Sequence, residues 1–238
     1  SVLQWRFGSA AQYLKGLIER GALGRPLVGL CQTTWYRDAA YYEKPWRGGW
    51  DNELGGVSLG HGIHAMDLFL WLFGGWQEVS AMTGTLDRPI EVEDASVATV
   101  RFQSGALGSV VNSVLSPREE TYIRLDFQRA TVEVRALYSY RNRNWTFTAA
   151  PASPGAGAWQ IPEDRGSSHA AQLGCLLDCL DAGQAPPAGL SDVRPTFEFL
   201  SGLYRSAAEG RAVHRGEIVP GDPFYSRLGG TLARPVAS

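Results

Sequence analysis

From residue 78 onward the chain changes to a period of two. Residues 78–86, 95–103, 107–114, 122–127, 131–136 and 145–149 each alternate apolar and polar side chains. The links between them are short and polar or contain glycine, and Gln103-Ser104-Gly105-Ala106 reads as a hairpin. Short links favour antiparallel neighbours, because parallel strands need a crossover of a dozen residues or more. A run of this kind forms a sheet, and the rest of the chain must pack against it.

The flanking sequence supplies what covers such a sheet. Residues 2–7 read as a short strand. Residues 9–21 read as an amphipathic helix with Ser9 as its N-cap, an apolar stripe of Tyr13, Leu14, Leu17 and Ile18, and Gly21 and Gly24 as its stop. A long strand is expected over 27–36, then an irregular loop over 37–56 rich in Tyr, Trp, Arg and Gly. A second helix is expected over 57–73, ended by Gly74-Gly75. After a surface loop at 150–165, residues 167–182 place Leu173, Leu176, Leu177 and Leu180 on one helical face. Residues 191–209 start at a Ser191 cap and carry Phe197, Leu200, Leu203 and Tyr204; the tail from 211 is irregular. The expected architecture is α+β: one open, predominantly antiparallel sheet with helices packed on one face, in a single domain over 1–238.

Composition narrows the partners. Hydrophobic residues make up 44% and charged residues 19%, enough for a real core. The net charge of −2 comes with no basic patch or zinc-finger spacing, so no nucleic-acid partner is expected. The longest apolar run, residues 68–73, is far too short to span a membrane. No signal peptide is read at the N-terminus, and three cysteines make no disulfide framework, so a cytoplasmic location is expected. No Gly-x-Gly-x-x-Gly follows a strand, so no dinucleotide cradle is read in these residues.

Chemistry concentrates at residues 55–74. Two of the four histidines, His61 and His64, lie three apart with Asp67 three further on, at the mouth of the most apolar segment. Three readings fit. Gly56-Val57-Ser58-Leu59-Gly60 matches the Gly-x-Ser-x-Gly of serine hydrolases, although a loop rather than a strand precedes it. His61, His64 and Asp67 suit a metal-dependent hydrolase, since residues three apart on a helix are neighbours. A histidine at a pocket mouth also suits proton transfer near neutral pH.

Gly55-Gly56 … His64-Ala65-Met66-Asp67-Leu68 … Trp71-Leu72-Phe73-Gly74 resembles a signature of the C-terminal domain of the Gfo/Idh/MocA oxidoreductases. Trp5-Arg6-Phe7 … Leu14-Lys15 … Leu17-Ile18 … Gly21-Ala22-Leu23-Gly24, Trp46-Arg47-Gly48, and the closing segments around His169 and Tyr204-Arg205-Ser206 are similar to the same family. The resemblance implies a two-domain enzyme that transfers hydride between NAD or NADP and a secondary alcohol carbon of a sugar or polyol. The nucleotide-binding half would lie outside this chain, so the segment alone is expected to bind no cofactor and to be inactive. It also implies a homo-oligomer, dimer or tetramer, built through the open sheet face. His64 falls at the family's histidine, while the position of the acid four residues earlier is Gly60, so that either His61 replaces the acid or its role is lost. His64 and His61 are the expected catalytic pair. Asp67, Arg47, Trp46, Tyr36 and Asn52 are the expected substrate-site residues, with Asp67 also orienting His64. Glu43-Lys44-Pro45 looks like the family's catalytic Glu-Lys-Pro but is read as a coincidence of position. A non-catalytic sugar-binding or assembly domain is the alternative.

Overall fold

A computed structural model describes residues 2–151 and 159–232. Eight strands form one sheet: β1 (Pro26–Tyr36), β2 (Trp76–Gly84), β3 (Ala95–Phe102), β4 (Leu107–Ser113), β5 (Leu115–Phe127), β6 (Ala130–Ala136), β7 (Trp145–Ala149) and β8 (Val213–His214). Their order is β7-β6-β5-β1-β4-β3-β2-β8. Every pairing is antiparallel except β1 with β4, so the sheet is mixed. The parallel pair is allowed by chain order, since two helices and two strands separate β1 from β4 and give the crossover it needs. The α+β expectation holds, and five of the six strands read from periodicity start within two residues of the expected place. The exception, β5, begins seven residues earlier.

The helices are α1 (Ser9–Glu19), α2 (Trp50–Glu53), α3 (Ile63–Phe73), α4 (His169–Asp181), α5 (Leu190–Glu209) and α6 (Pro223–Ser226). A π-helical turn, Ser58–Gly62, leads into α3. Helix α3 lies over β1 and β5, and α5 lies over β2.

Four local expectations change. Residues 4–7 form a 3-10 turn rather than a strand, buried against the core through Trp5 and Phe7. Ser9 does not cap α1: its hydroxyl is bound to Asn142 Oδ1 and the Arg165 carbonyl, and Gly8 is the N-cap. Gly189, not Ser191, precedes α5. The leucine face of α4 is not core: Leu173, Leu177 and Leu180 are each more than half exposed, because α3 and α5 already cover that side of the sheet. Part of the loop at 150–165 lies outside the described residues.

Two side-chain rows on the helix-covered face of the sheet set up the site. Ala81, Ala98, Val110, Cys31, Ile123 and Val134 are register neighbours across six strands, and all are buried. Two residues further along β1, about 7 Å away, the row reads Thr83, Ser96, Asn112, Thr33, Thr121 and Ala136. Helix α3 crosses both. Its Phe69 and Phe73 press on Gly29 of β1, where a Cβ would stand 2.5 Å from Phe69. At the other end of α3, Gly62 sits directly on Asn112, where a Cβ would be 2.2 Å from Oδ1.

Candidate active site

The π-helical turn rests on the polar row. Ser58 is fully buried, donates from Oγ to Ser96 Oγ at 2.8 Å, and gives its backbone N–H to Glu93 at 3.0 Å. Glu93 also accepts from Gly56 N–H and the Tyr204 hydroxyl. A serine locked this way presents no nucleophile, which removes the hydrolase reading. The wide turn then swings His61 out from the helix start, as π-turns do at many functional sites.

His61 and His64 both line a cavity of about 520 Å³ beside α3. Its walls include Gln4, Trp5, Thr33, Trp35, Arg37, Tyr41, Tyr138 and His169. Trp35 meets His61 edge-on at 5.2 Å and Tyr138 at 4.6 Å, and its Nε1–H is tied to Thr121 Oγ1 at 2.9 Å. Arg37 donates to the Tyr138 hydroxyl at 2.8 Å and to Glu119 at 3.1 Å. Four buried polar atoms of these walls have no hydrogen-bond partner in the protein: Gln4 Oε1, Thr33 Oγ1, His61 Nδ1 and His64 Nδ1.

Burial, helped by Arg37, Arg47 and His64, pushes the His61 pKa down to about 4. Burial also lowers the His64 pKa; Asp67 opposes that shift and His169 adds to it. Both imidazoles are therefore neutral at pH 7, and a neutral imidazole has a lone pair free to accept a proton.

The other expected site residues lie elsewhere. Asp67 is fully buried behind α3, where Arg6 grips both its oxygens and Thr196 donates to Oδ1 at 2.8 Å. That carboxylate joins the 3-10 turn, α3 and α5, and reaches His64 only through its field. Tyr36 points to the opposite face of β1 from Trp35 and is exposed. Trp46 is half exposed and stacks on Arg47, while Asn52 lies in a separate depression with Arg47 and Glu91. Arg47 touches the site at second hand, through the Tyr41 hydroxyl. Lys44 is exposed and is not among the residues lining the cavity. Gly60 lines the cavity, and a Cβ there would meet nothing within 4 Å. No group of three or more His, Cys, Asp or Glu side chains suited to a metal ion occurs among the described residues. Sequence reasoning passed over Trp35, Thr33, Tyr41 and Tyr138. The parity of β1 carried the signal for the first two, because Cys31, Thr33 and Trp35 alternate inward.

Residues 11–135, more than half of the chain, match the GFO/IDH/MocA C-terminal domain. A D-apiose dehydrogenase of Rhizobium rhizogenes is 25% identical over 90% of this chain and 64% of its own length. Another, from Paraburkholderia graminis, is 27% identical over 64% of this chain and 43% of its own. The chain thus spans less than two thirds of the length of these curated relatives. Among solved structures, the WlbA dehydrogenase of Bordetella pertussis, in complex with NADH and UDP-GlcNAcA, superposes with a TM-score of 0.76 at 28% identity. The match covers 90% of this chain and 63% of that one.

Proposed function

The chain belongs to the GFO/IDH/MocA family through its C-terminal domain, and from that premise we propose that residues 1–238 are the substrate-binding and oligomerisation unit of an NAD- or NADP-dependent sugar or polyol oxidoreductase. One observation carries the reading. Four unpaired buried polar atoms belong to side chains that line one aromatic-walled cavity, and buried polar groups otherwise find partners. A ligand with several hydroxyls and apolar C–H faces satisfies both features: hydroxyls for Gln4, Thr33 and the histidines, C–H surface for Trp35 and Tyr138.

Oxidation of a secondary alcohol removes a hydride from carbon and a proton from oxygen. The nicotinamide, when bound, supplies the hydride acceptor. Gly60 leaves open space in the same cavity wall as His64, whose Nδ1 has no protein partner. His64 takes the hydroxyl proton, and its neutral form at pH 7 is the one that can. His61 holds the substrate oxygen, and Asp67 orients His64 from behind through its charge.

The outer sheet face favours a homo-oligomer. Met82, Val97, Leu107 and Val28 are exposed there, with Met82 beside Val97 and Val28 beside Leu107 in register. Free Cys31, Cys175 and Cys179 suit the reducing cytoplasm. No helix among the described residues is long and apolar enough to cross a membrane.

The test uses the protein with its nucleotide-binding half, NAD or NADP, and D-apiose or UDP-GlcNAcA. Turnover of either sugar is expected, and His64→Ala should lower kcat by about 10²-fold or more. No turnover of either overturns the reading, and a near-normal His64→Ala rate removes His64 from its role. A monomeric native mass overturns the oligomer.

A further inference from the structure

The loop over 37–56 carries an ordered chain of charges that ends on His61. Glu53, at the end of α2, accepts from Arg47 Nη1 at 3.2 Å and from the Gly48 backbone N–H. The Arg47 guanidinium is clamped between two rings, 3.7 Å from the Tyr41 centroid and 4.1 Å from that of Trp46. From there Nη1 donates to the Tyr41 hydroxyl oxygen. That hydroxyl in turn lies 3.4 Å from His61 Nε2.

Donor and acceptor counting fixes the direction of this chain. A guanidinium has donors only, so the Tyr41 oxygen must accept from Arg47. Arg37, whose guanidinium stands 5.3 Å from the Tyr41 ring, is another donor-only neighbour. Among the described residues, the acceptor beside the single Tyr41 proton is therefore His61 Nε2. Burial raises the Tyr41 pKa, so that proton stays on the oxygen. If Nε2 accepts, the proton of the neutral imidazole sits on Nδ1. Nδ1 is the buried atom that has no partner in the protein.

We propose that Glu53, Arg47 and Tyr41 are positioning residues that hold His61 in its Nδ1–H tautomer, making it a fixed hydrogen-bond donor to a substrate oxygen while His64 alone handles the proton. The assignment of the donor to substrate rests on the oxidoreductase reading; the tautomer does not. It also explains how two neighbouring histidines divide the work. His61 is held at Nε2 by the relay through Tyr41, and that relay does not include His64.

Histidine-selective ¹⁵N labelling of the protein, with long-range proton–nitrogen correlation at pH 7, reads the tautomer directly. The expected result is a protonated-type nitrogen at His61 Nδ1 and a lone-pair-type nitrogen at Nε2. Tyr41→Phe should abolish that preference with the rest of the spectrum intact, and Arg47→Lys, which keeps a cationic donor, should restore more of it than Arg47→Met. An Nε2–H tautomer in the unaltered protein, or His61 shifts indifferent to Tyr41→Phe, overturns the relay. In turnover with D-apiose, Tyr41→Phe should raise KM several-fold and leave the pH profile of kcat in place. A displaced kcat profile would make His61 the proton-transfer group and overturn the division of roles. Absence of turnover in the unaltered enzyme defeats the oxidoreductase reading while leaving the nitrogen shifts to decide the relay.

Discussion

Two rows of the same sheet, one step apart, do opposite jobs. The row through Cys31 and Ile123 is wholly apolar and lies under the middle of α3. The row through Thr33 and Thr121 is polar and just as buried over its four central residues, Ser96, Asn112, Thr33 and Thr121, and lies under the π-helical turn. Position relative to solvent does not distinguish them. Polarity does, and within the polar row the members differ in whether each polar atom has a partner inside the protein. Ser96 and Thr121 have partners in Ser58, Asn112, Trp35 and the Leu137 carbonyl, whereas Thr33 Oγ1 and Asn112 Oδ1 have none, and of these two residues only Thr33 lines the cavity. The apolar row holds the fold together. The polar row carries unpaired buried atoms at a cost in stability, which a ligand would offset under the proposed function.

The comparison breaks first on the apolar side. Ile123 is 1% exposed at the centre of its row. Ile123→Ala should cost about 2–5 kcal/mol in urea unfolding through lost burial and the cavity left behind, with KM nearly unchanged in the fraction still folded. A loss below about 1 kcal/mol would mean this row is not the packing centre.

The next effect belongs to the histidine above the polar row. His61 titrates near 4 when folded and at its ordinary 6.5 when unfolded. Between those values the unfolded chain holds a proton that the folded chain refuses, so stability rises with pH across the window and falls on acidification. Below about 4 both states are protonated and the slope levels off. The full swing is on the order of 3 kcal/mol, and the depressed His64 pKa adds to it with the same sign. His61→Asn should flatten most of the slope between pH 6.5 and 4 in unfolding free energies; an unchanged slope would show that His61 is not the buried group that titrates.

The sequence made these two rows unequally legible. Strand existence came from alternation, and alternation marks the inward face whether its residues are Cys31 and Ile123 or Thr33 and Thr121. An inward threonine, however, looks like an outward one unless the parity is carried through; carried along β1 from Cys31, it turns Trp35 inward and Tyr36 outward. Asp67 was misplaced for a related cause. Its helical spacing from His64 is that of a neighbour, but its partners Arg6 and Thr196 come from distant segments that only the folded chain brings together. His61 and His64 were legible because their helix and its apolar run are local. Tyr41 was not, because an irregular loop has no period to place it.

The smallest effect separates the two rows most cleanly. Thr33 is fully buried, its hydroxyl has no protein partner, and it lines the cavity beside the histidines. Thr33→Val keeps the shape and removes the unpaired oxygen. Burying an unsatisfied hydroxyl costs about 1–3 kcal/mol, so the variant should be more stable, by up to about 1 kcal/mol once partial solvation of the cavity wall is allowed for. The same oxygen is expected to bond a substrate hydroxyl, worth about 0.5–1.5 kcal/mol. KM should therefore rise roughly 2- to 10-fold. Stability up with affinity down is the mark of a residue kept for its ligand rather than for the fold. Stability down with KM unchanged would place Thr33 with its structural neighbours in the row, and shift the ligand contacts onto Gln4 and the two histidines.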